Sequence, residues 1–350
     1  MRVAIDATPL TLSSGGLRRY TAELSLALAR NFPEDEYFLV SDQTFVLPED
    51  APPNLRRGGG PRHRVERRWW FWGLDRELQR LAAGLFHGTD FAVPYLSRRP
   101  SVLTLHDLSP WMDAAWHSDA ARVRQRTPVL VGLGLATMIV TPSEAVRKQA
   151  IEEFRIHPGR IRAIPHAARA CFRPVPSQTA PPYFLYAGTL EPRKNIPGLI
   201  AAWREVRRLH PVGLVLAGRR RPDFPQLSPE PGLQIMGEIS DERLAQLLAG
   251  ALAFLYPSFY EGFGLPVLEA MQCGACVITS RDPAITEVAA GAAIQADSHG
   301  DLVRAMVEVI ENPAGAQLWR DRALRRAADF SWRRTAELTH QLYEDCQRRF

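Results

Sequence analysis

Short apolar runs alternate with amphipathic stretches along the first half of the chain. The amphipathic stretches have helical spacing, and one of them starts at Thr141-Pro-Ser143, where a hydroxyl can cap a helix that runs to about Phe154. Another helix is predicted at residues 17–30. The apolar runs predict strands at residues 2–5, 37–40, 85–87, 101–105, 138–140 and 161–164. This alternation is typical of a doubly wound sheet.

The alternation stops and then restarts in the middle of the chain. Residues 171–182 hold four prolines in twelve positions and predict an extended linker. Beyond it, strands are predicted at residues 183–187, 214–217, 233–236, 251–256, 276–279 and 293–295, with helices between them and at 301–311. We therefore expect an α/β protein with two Rossmann-like domains, residues 1–170 and 183–330, that face each other across a cleft. The ligand site is expected in that cleft, at the carboxyl ends of the strands. A helix at residues 331–350 could cross back to the first domain.

Composition narrows the class of protein. A chain of 350 residues exceeds the size at which one core usually keeps growing. Apolar residues make up 46% and charged residues 23%, which is ordinary for a soluble globular protein, and no apolar run is long enough to cross a bilayer. The start of the chain predicts a buried strand and not a signal peptide. The CxxC pair Cys273 and Cys276 has no second pair to complete a zinc site, which favours buried structural thiols and a reducing, cytoplasmic setting.

Arginine supplies all but two of the 43 basic residues, and the two lysines are Lys148 and Lys194. An excess this uniform does not indicate a nucleic-acid partner. The segment from Arg56 to Trp72 joins six arginines to the run Trp69-Trp-Phe-Trp72. Such a segment suits an anionic membrane surface or a lipid-linked acceptor. The alternative, which we favour, is a flexible basic loop whose aromatic residues pack on the first domain.

Two cations stand together in the loop Gly188-Thr-Leu-Glu-Pro-Arg-Lys-Asn195, between a predicted strand and a helix. A glycine turn, adjacent cations and a helix N-terminus together suit a diphosphate. Arg193 can bind phosphate oxygens as a fork, while Lys194 supplies a compact charge where the chain departs from its use of arginine. The alternative is a pair of solvated cations at the start of a helix.

A second loop, Glu261-Gly-Phe-Gly-Leu-Pro-Val-Leu-Glu269, holds two carboxylates eight residues apart. Gly262 and Gly264 let the backbone come close to a ligand. Pro266 suits the first helical position, and Glu269 is expected in the first helical turn. The amides that open this helix would bind an anionic or hydroxyl-rich ligand. The alternative is an ordinary start of a helix, where the charge of Glu269 only interacts favourably with the helix dipole.

Weaker signals come from the first domain. Gly15 and Gly16 precede a helix but lack the full GxGxxG pattern. His87-Gly-Thr-Asp90 and Thr104-Leu-His106-Asp107 follow strands, so both are expected to face the cleft, and His106 is expected to touch substrate. The chain has neither an Asp-x-Asp motif nor a Walker loop, so we expect no metal and no cofactor. The cationic pair of the Gly188 loop would then neutralise a leaving diphosphate.

These residues together resemble the glycosyltransferases of family 4, which are retaining enzymes of GT-B type. The stretch from Glu261 to Met271 is similar to the Glu-x7-Glu region of that family. The resemblance covers nearly the whole chain, and the following also fall in the family's order: Gly15-Gly16, His106-Asp107, Thr141-Pro-Ser143, Gly188 to Asn195 and Pro257-Ser258.

The resemblance implies which groups bind the sugar and the nucleoside. Glu269 would hold the ribose hydroxyls of the nucleotide. Glu261 would hold the transferred sugar, and it would be helped by the backbone amides of Gly262, Phe263, Gly264 and Leu265.

The resemblance also implies which groups surround the diphosphate. Arg193 and Lys194, on the loop that Gly188 opens, would neutralise it. Gly16, with Gly15 beside it, would approach it from the first domain, and His106 would lie near the reacting side of the sugar. Many relatives carry arginine where this chain has Thr189, so Arg193 would have to supply that charge.

The resulting hypothesis is metal-independent transfer of a hexose from a nucleotide diphosphate sugar to a hydroxyl acceptor, with retention at the anomeric carbon. GDP-mannose is the first expectation for the donor and a UDP-sugar the second. The acceptor would be a saccharide or a lipid-linked saccharide in bacterial surface polysaccharide or glycoconjugate assembly, in the cytoplasm or peripherally at the inner face of the plasma membrane. Two other classes stay open: a sugar-nucleotide epimerase of the same fold and a non-catalytic nucleotide-sugar binding protein. A NAD-dependent dehydrogenase is less favoured because the glycine fingerprint is incomplete.

Overall fold

The protein is described by a computed structural model that covers residues 1–96, 98–113, 116, 120–176 and 181–350. The chain folds into two compact units, one formed by Met1–His166 with Ser331–Phe350 and the other by Ala167–Phe330. Each unit has its own parallel sheet and its own buried apolar side chains. Of the predicted linker, residues 177–180 lie outside the described part, and Phe172 is buried in the core of the second unit.

The first unit is built on a seven-stranded parallel sheet. Its strands are β1 (Arg2–Asp6), β2 (Glu36–Val40), β3 (Leu55–Arg57), β4 (Leu85–Gly88), β5 (Ser101–Thr104), β6 (Met138–Thr141) and β7 (Ile161–Ala163). Its first helices are α1 (Gly16–Asn31), α2 (Leu74–Arg80), α3 (Ser109–Met112), α4 (Ala121–Gly132) and α5 (Glu144–Phe154). The strand order β3-β2-β1-β4-β5-β6-β7 reverses between β1 and β4. Such a reversal opens a crevice at the carboxyl ends of the two strands.

The six strands predicted for this unit are present, with ends that differ by one residue, but β3 was not predicted. Leu55 is its one buried residue, and Arg56 and Arg57 are exposed. An edge strand this short has too few apolar positions to show an alternating pattern. Its charged side chains also discourage pairing with another chain.

The basic and aromatic segment between Arg56 and Trp72 packs on the first unit through its aromatic rings. Trp70 meets Phe86 edge to face, with ring centroids 6.4 Å apart, and Phe71 stacks on Tyr95 at 4.4 Å. These contacts agree with the packing alternative, and contact with a membrane stays a prediction. None of the described helices is long and apolar enough to span a membrane.

The second unit is built on a six-stranded parallel sheet. Its strands are β8 (Tyr183–Ala187), β9 (Gly213–Ala217), β10 (Leu233–Gly237), β11 (Phe254–Tyr256), β12 (Val277–Thr279) and β13 (Ile294–Gln295). Its helices are α6 (Ile196–Arg207), α7 (Asp241–Gly250), α8 (Leu265–Gln272), α9 (Pro283–Ala289), α10 (His299–Glu311) and α11 (Pro313–Ala327). In the order β10-β9-β8-β11-β12-β13, β8 and β11 are neighbours at the point of reversal. The loops after these two strands carry the Gly188 and Glu261 motifs, so the fold brings both motifs to one crevice.

The cysteine pair of the CxxC spacing lies inside this second unit. Cys273 and Cys276 are both buried and make no disulfide. Burial raises the pKa of Cys273 to about 12 and that of Cys276 to about 11. Both thiols therefore stay protonated at neutral pH, as expected for structural cysteines.

The terminal helix α12 (Trp332–Arg349) belongs to the first unit, where it packs on α1. The Thr335 hydroxyl donates to the Pro165 carbonyl at 2.7 Å. The Tyr343 hydroxyl lies 2.7 Å from Nδ1 of His87, whose Nε2 lies 2.8 Å from the Thr104 hydroxyl. His87 lies within β4, as the strand predicted at residues 85–87 requires, but it is completely buried, so the expectation that it faces a cleft is wrong. It joins the terminal helix to the sheet instead.

His87 should make folding sensitive to acid. Burial lowers the pKa of His87 to about 3, with a smaller contribution from the charge of His106. The unfolded chain takes up a proton below about pH 6.5, whereas the folded chain does not until about pH 3. The free energy of unfolding should therefore fall through this window by about 1.4 kcal/mol per pH unit for this one group. Urea unfolding at pH 7 and pH 5 should show that the free energy of unfolding falls more for the wild type than for His87→Gln when the pH is lowered. Equal losses would contradict the assignment.

Candidate functional site

The loop after β8 is shaped by two glycines. Gly188 has a φ of 148°, and its amide donates to the Ala217 carbonyl at 2.9 Å. Gly218 has a φ of 134°, and a Cβ added to it would lie 2.0 Å from the Gly188 carbonyl oxygen. Only glycine fits both the conformation and the approach. The loop then forms a single 3-10 turn, Pro192–Lys194, which places the two predicted cations just before α6.

The side chain of Lys194 is buried beside Tyr256, the last residue of β11. Only 6% of it is exposed, and its ammonium donates to the Tyr256 hydroxyl at 2.9 Å and to Oε1 of Glu261 at 2.5 Å. Glu261 is equally buried. The solvated alternative for this lysine is therefore wrong. Its ammonium joins two loops that are 67 residues apart in the chain.

Arg193 makes the second link between the same loops. Its guanidinium donates to the Tyr260 carbonyl at 2.9 Å and to Oε1 of Glu191 at 3.0 Å, and it lies 3.4 Å from Oε2 of Glu261. Glu191 is buried and had no predicted role, although it lies in the loop from Gly188 to Asn195. We call Glu191, Arg193, Lys194 and Glu261 the charge cluster.

Burial and the charges of opposite sign nearby shift the pKa values of Glu261 and Lys194 in opposite directions. Burial alone would raise the pKa of Glu261, but Lys194 and Arg193 outweigh it and hold that pKa below its usual value. Burial, together with the charge of Arg193, lowers the pKa of Lys194, while Glu261 and Glu191 oppose this. Glu261 is therefore a carboxylate at neutral pH, and its strongest partner is a lysine held in a dry environment.

Asp282 braces the Glu261 loop and was not predicted. Its Oδ2 accepts from the Glu261 amide at 3.1 Å, and its Oδ1 accepts from the amides of Ala284 and Ile285 at 3.0 Å each. Burial raises the pKa of Asp282 to about 6. An aspartate followed by Pro283 is a recognisable start of a helix, so the cap was visible in the sequence, but its bond to Glu261 was not.

The helix after the Glu261 loop starts one residue before the predicted position, and this corrects the places of both Pro266 and Glu269. Gly264 caps it with a φ of 95°, and α8 begins at Leu265. Pro266 is thus its second residue, and Glu269, only 2% exposed, is its fifth. Glu269 therefore lies in the second turn, away from the free amides that open the helix. Phe263 is also buried, and its ring meets that of Phe330 edge to face with centroids 5.9 Å apart. Only the backbone groups of Phe263 are therefore available to a ligand of this loop.

Three predicted residues lie in the first unit. Gly15, with a φ of 113°, caps α1, which begins at Gly16, and a Cβ added to either glycine would meet nothing within 4 Å. His106 is half-buried, and its Nε2 lies 2.6 Å from the Thr89 carbonyl. Because a carbonyl can only accept, Nε2 carries the proton and Nδ1 is an acceptor. Burial lowers the pKa of His106, which keeps the ring neutral. In the part of the chain that the structure describes, no group of three or more His, Cys, Asp or Glu residues could hold a metal ion.

Comparison with known proteins decides the family. The model for "Glycosyltransferase Family 4" matches residues 14–169, and that for "Glycosyl transferases group 1" matches residues 170–326. The O-antigen chain mannosyltransferase B of Escherichia coli is 32% identical over 285 residues, which cover 74% of this chain and 74% of that protein. The chain belongs to glycosyltransferase family 4.

Solved structures agree with the fold of this family 4 glycosyltransferase. Sucrose-phosphate synthase from Thermosynechococcus elongatus superposes with a TM-score of 0.76 at 19% identity, covering 98% of each chain. Anabaena Alr3699/HepE in complex with UDP-glucose superposes with a TM-score of 0.73 at 16% identity, covering 99% of this chain and 100% of that one. The predicted GT-B fold, with two Rossmann-like parallel sheets, is thereby confirmed. The roles given to individual site residues stay predictions.

Proposed function

We propose that this glycosyltransferase transfers mannose from GDP-mannose to a saccharide hydroxyl, with retention at the anomeric carbon and without a metal. The observation that carries the proposal is the buried charge cluster, in which Lys194 and Arg193 meet Glu261 beside the amides that open α8. The relative from Escherichia coli, a mannosyltransferase of the O-antigen chain, supports mannose and polysaccharide assembly. UDP-glucose, the ligand of the Anabaena protein, keeps a UDP-sugar as the second candidate.

The charge cluster suggests how a donor would be held. The diphosphate would draw the ammonium of Lys194 and the guanidinium of Arg193 away from Glu261, because phosphate oxygens carry more charge than one carboxylate. Glu261 would then accept hydrogen bonds from the hydroxyls of the transferred sugar. The amides at the start of α8 would face the same ligand, and Glu269 would hold the ribose.

The reaction then needs little covalent help from the protein. The bond between the anomeric carbon and the β-phosphate oxygen breaks, and a bond from the acceptor oxygen forms on the same face. The proton of the acceptor hydroxyl passes to the leaving phosphate. The two cations stabilise the negative charge that develops on this phosphate, and one such contact typically contributes about 10² to 10³ in rate. Glu261 and Glu269 are not a glycosidase pair in this scheme, since each has a binding role.

A donor panel tests the proposal. The melting temperature should rise most with GDP-mannose, because a ligand that binds only the folded state stabilises it by mass action, by about 2.7 kcal/mol at a hundred times its Kd. With octyl α-D-mannoside as acceptor, NMR should show an α-linked product, and EDTA should leave the rate unchanged. A β-linked product would remove the retaining assignment, and a rate abolished by EDTA would remove metal independence. Conversion of GDP-mannose to another sugar nucleotide without acceptor would favour the epimerase.

A further inference from the structure

Tyr256 accepts the uncharged one of the two hydrogen bonds that the Lys194 ammonium makes to described residues. The ammonium donates to the Tyr256 hydroxyl at 2.9 Å and to the Glu261 carboxylate at 2.5 Å. Burial, and then the charge of Glu261, raises the pKa of Tyr256 well above its usual value, so this hydroxyl stays neutral. The ammonium is therefore bound by one anion and one neutral acceptor, and only the anion competes with phosphate for its charge.

The two partners of the ammonium differ in how firmly they are fixed. Tyr256 is the last residue of β11, is 1% exposed and pairs with Thr279 of β12. Its ring stacks on that of Tyr186 in the neighbouring strand β8, with centroids 5.9 Å apart and planes 13° from parallel. Glu261 instead lies in the loop between β11 and α8. The tyrosine hydroxyl therefore stays in place when the loop side chain turns to a ligand.

Binding of a donor changes what this lysine needs. In the proposed function Glu261 turns to the hydroxyls of the sugar, and the ammonium turns to the diphosphate. An ammonium has three donors, so one can stay on Tyr256 while the other two reach phosphate oxygens. Lys194 is only 6% exposed, so the loss of an acceptor there would be costly for its buried charge. A carboxylate in place of the tyrosine would neutralise the ammonium and repel the phosphate.

We propose that Tyr256 is a positioning residue, whose hydroxyl holds the Lys194 ammonium at the end of β11 while Glu261 releases it to the diphosphate of the donor. The inference rests on the proposed function. It adds a group that acts on the leaving phosphate through Lys194, without touching the ligand. A tyrosine that only filled the core would need its ring and not its oxygen, so removal of the oxygen distinguishes the two roles.

Tyr256→Phe tests the inference in the full chain, with GDP-mannose and octyl α-D-mannoside as substrates. Phenylalanine keeps the ring and its stack on Tyr186 and removes only the oxygen. We expect kcat/KM for the donor to fall roughly tenfold to a hundredfold, the size expected for loss of a hydrogen bond to a charged group. Most of the fall should be in kcat, because negative charge grows on the leaving phosphate in the transition state.

A pH profile separates positioning from a structural role. Burial already lowers the pKa of Lys194, and the charged groups around its ammonium, Glu261, Glu191 and Arg193, are all kept in the variant. Loss of the hydroxyl acceptor should lower the pKa of Lys194 further. Because Lys194 acts as a cation, the alkaline limb of kcat/KM should move roughly one pH unit toward lower pH.

Tyr183→Phe is the matched control. It loses a hydroxyl bond of equal length, 2.9 Å to the Leu247 carbonyl, at the other end of β8. This variant should keep the rate of the wild type within twofold and the same alkaline limb. The double variant Lys194→Met with Tyr256→Phe should be no slower than Lys194→Met alone, since the hydroxyl acts only through the ammonium.

Three results would overturn the inference: an unchanged kcat/KM in Tyr256→Phe, a loss without movement of the alkaline limb, or a further loss beyond twofold in the double variant. If Tyr256→Phe alone fails to fold, the double variant decides, because it leaves no ammonium unpaired. A folded double variant with the activity of Lys194→Met would support the inference, and an unfolded one would show that the oxygen serves the fold. Wild-type protein that binds no nucleotide sugar would instead refute the proposed function itself.

Discussion

Lys194→Met is expected to lower kcat/KM for the donor by roughly 10² to 10³, about 3–4 kcal/mol of transition-state stabilisation. Methionine is unbranched like lysine and only one atom shorter, but it carries no charge, so the leaving diphosphate would lose one of its two cations. Lys148→Met is the matched control, because the chain has only these two lysines and Lys148 is exposed. Steady-state kinetics with GDP-mannose would measure both. An unchanged rate in the Lys194 variant would refute the assignment of the cationic pair.

Lys194→Arg separates charge from shape. The ammonium fits between the Tyr256 hydroxyl and Glu261 in a site that is 6% exposed. A guanidinium is planar and larger, so it would have to move one of these partners. We therefore expect a loss of activity even though the charge is kept. Wild-type activity in this variant would show that any cation suffices there.

The Lys194→Met variant should also change the pH dependence of stability. In the wild type, burial tends to raise the pKa of Glu261, but Lys194 and Arg193 hold it below its usual value. The stabilisation that this carboxylate provides is therefore lost as the pH falls through its lowered pKa. Without Lys194 that pKa rises, so the buried charge is neutralised at a higher pH. The difference in free energy of unfolding between the wild type and Lys194→Met should be largest at neutral pH and should decrease as the pH falls.

Gly218→Ala is expected to destabilise the second unit by roughly 3–5 kcal/mol. The φ of 134° is unfavourable for alanine, and the new Cβ would lie 2.0 Å from the Gly188 carbonyl oxygen, which belongs to the backbone and cannot move aside cheaply. Because the Gly188 loop carries Glu191, Arg193 and Lys194, three of the four residues of the charge cluster, the KM for the donor should rise as well. Urea unfolding and donor kinetics would measure the two effects.

Gly291→Ala is the matched control for this substitution. Gly291 also has a positive φ, 79°, and lies in the same unit, but a Cβ added there would meet nothing within 4 Å. Its replacement should cost only the conformational strain, about 1–2 kcal/mol. If both variants lost the same stability, the close approach of Gly218 to Gly188 would contribute nothing.

The chemistry of the second unit was predicted more fully than that of the first. Arg193, Lys194 and Glu261 could be predicted as site residues because charged side chains in these loops have no place in a hydrophobic core. Glu191 was overlooked, since one acid beside two cations looks like a surface ion pair. In the first unit, His87 was expected to face a cleft, and its burial within β4 could not be seen in the sequence.

The sequence by itself determined the succession of strands and helices along the chain except for the short edge strand β3, the division into two α/β units and the family. These properties follow from local periodicity and from motifs that are continuous along the chain. The tertiary structure decided which side chains meet: Lys194 with Glu261, Asp282 with the Glu261 amide, and His87 with Tyr343. The first two pairs depend on the order of strands in the second sheet, where β11 comes to lie beside β8 although two strands separate them in the chain. The third pair depends on the packing of α12 in the first unit. Burial and pKa shifts depend on those neighbours, so no local pattern could show them.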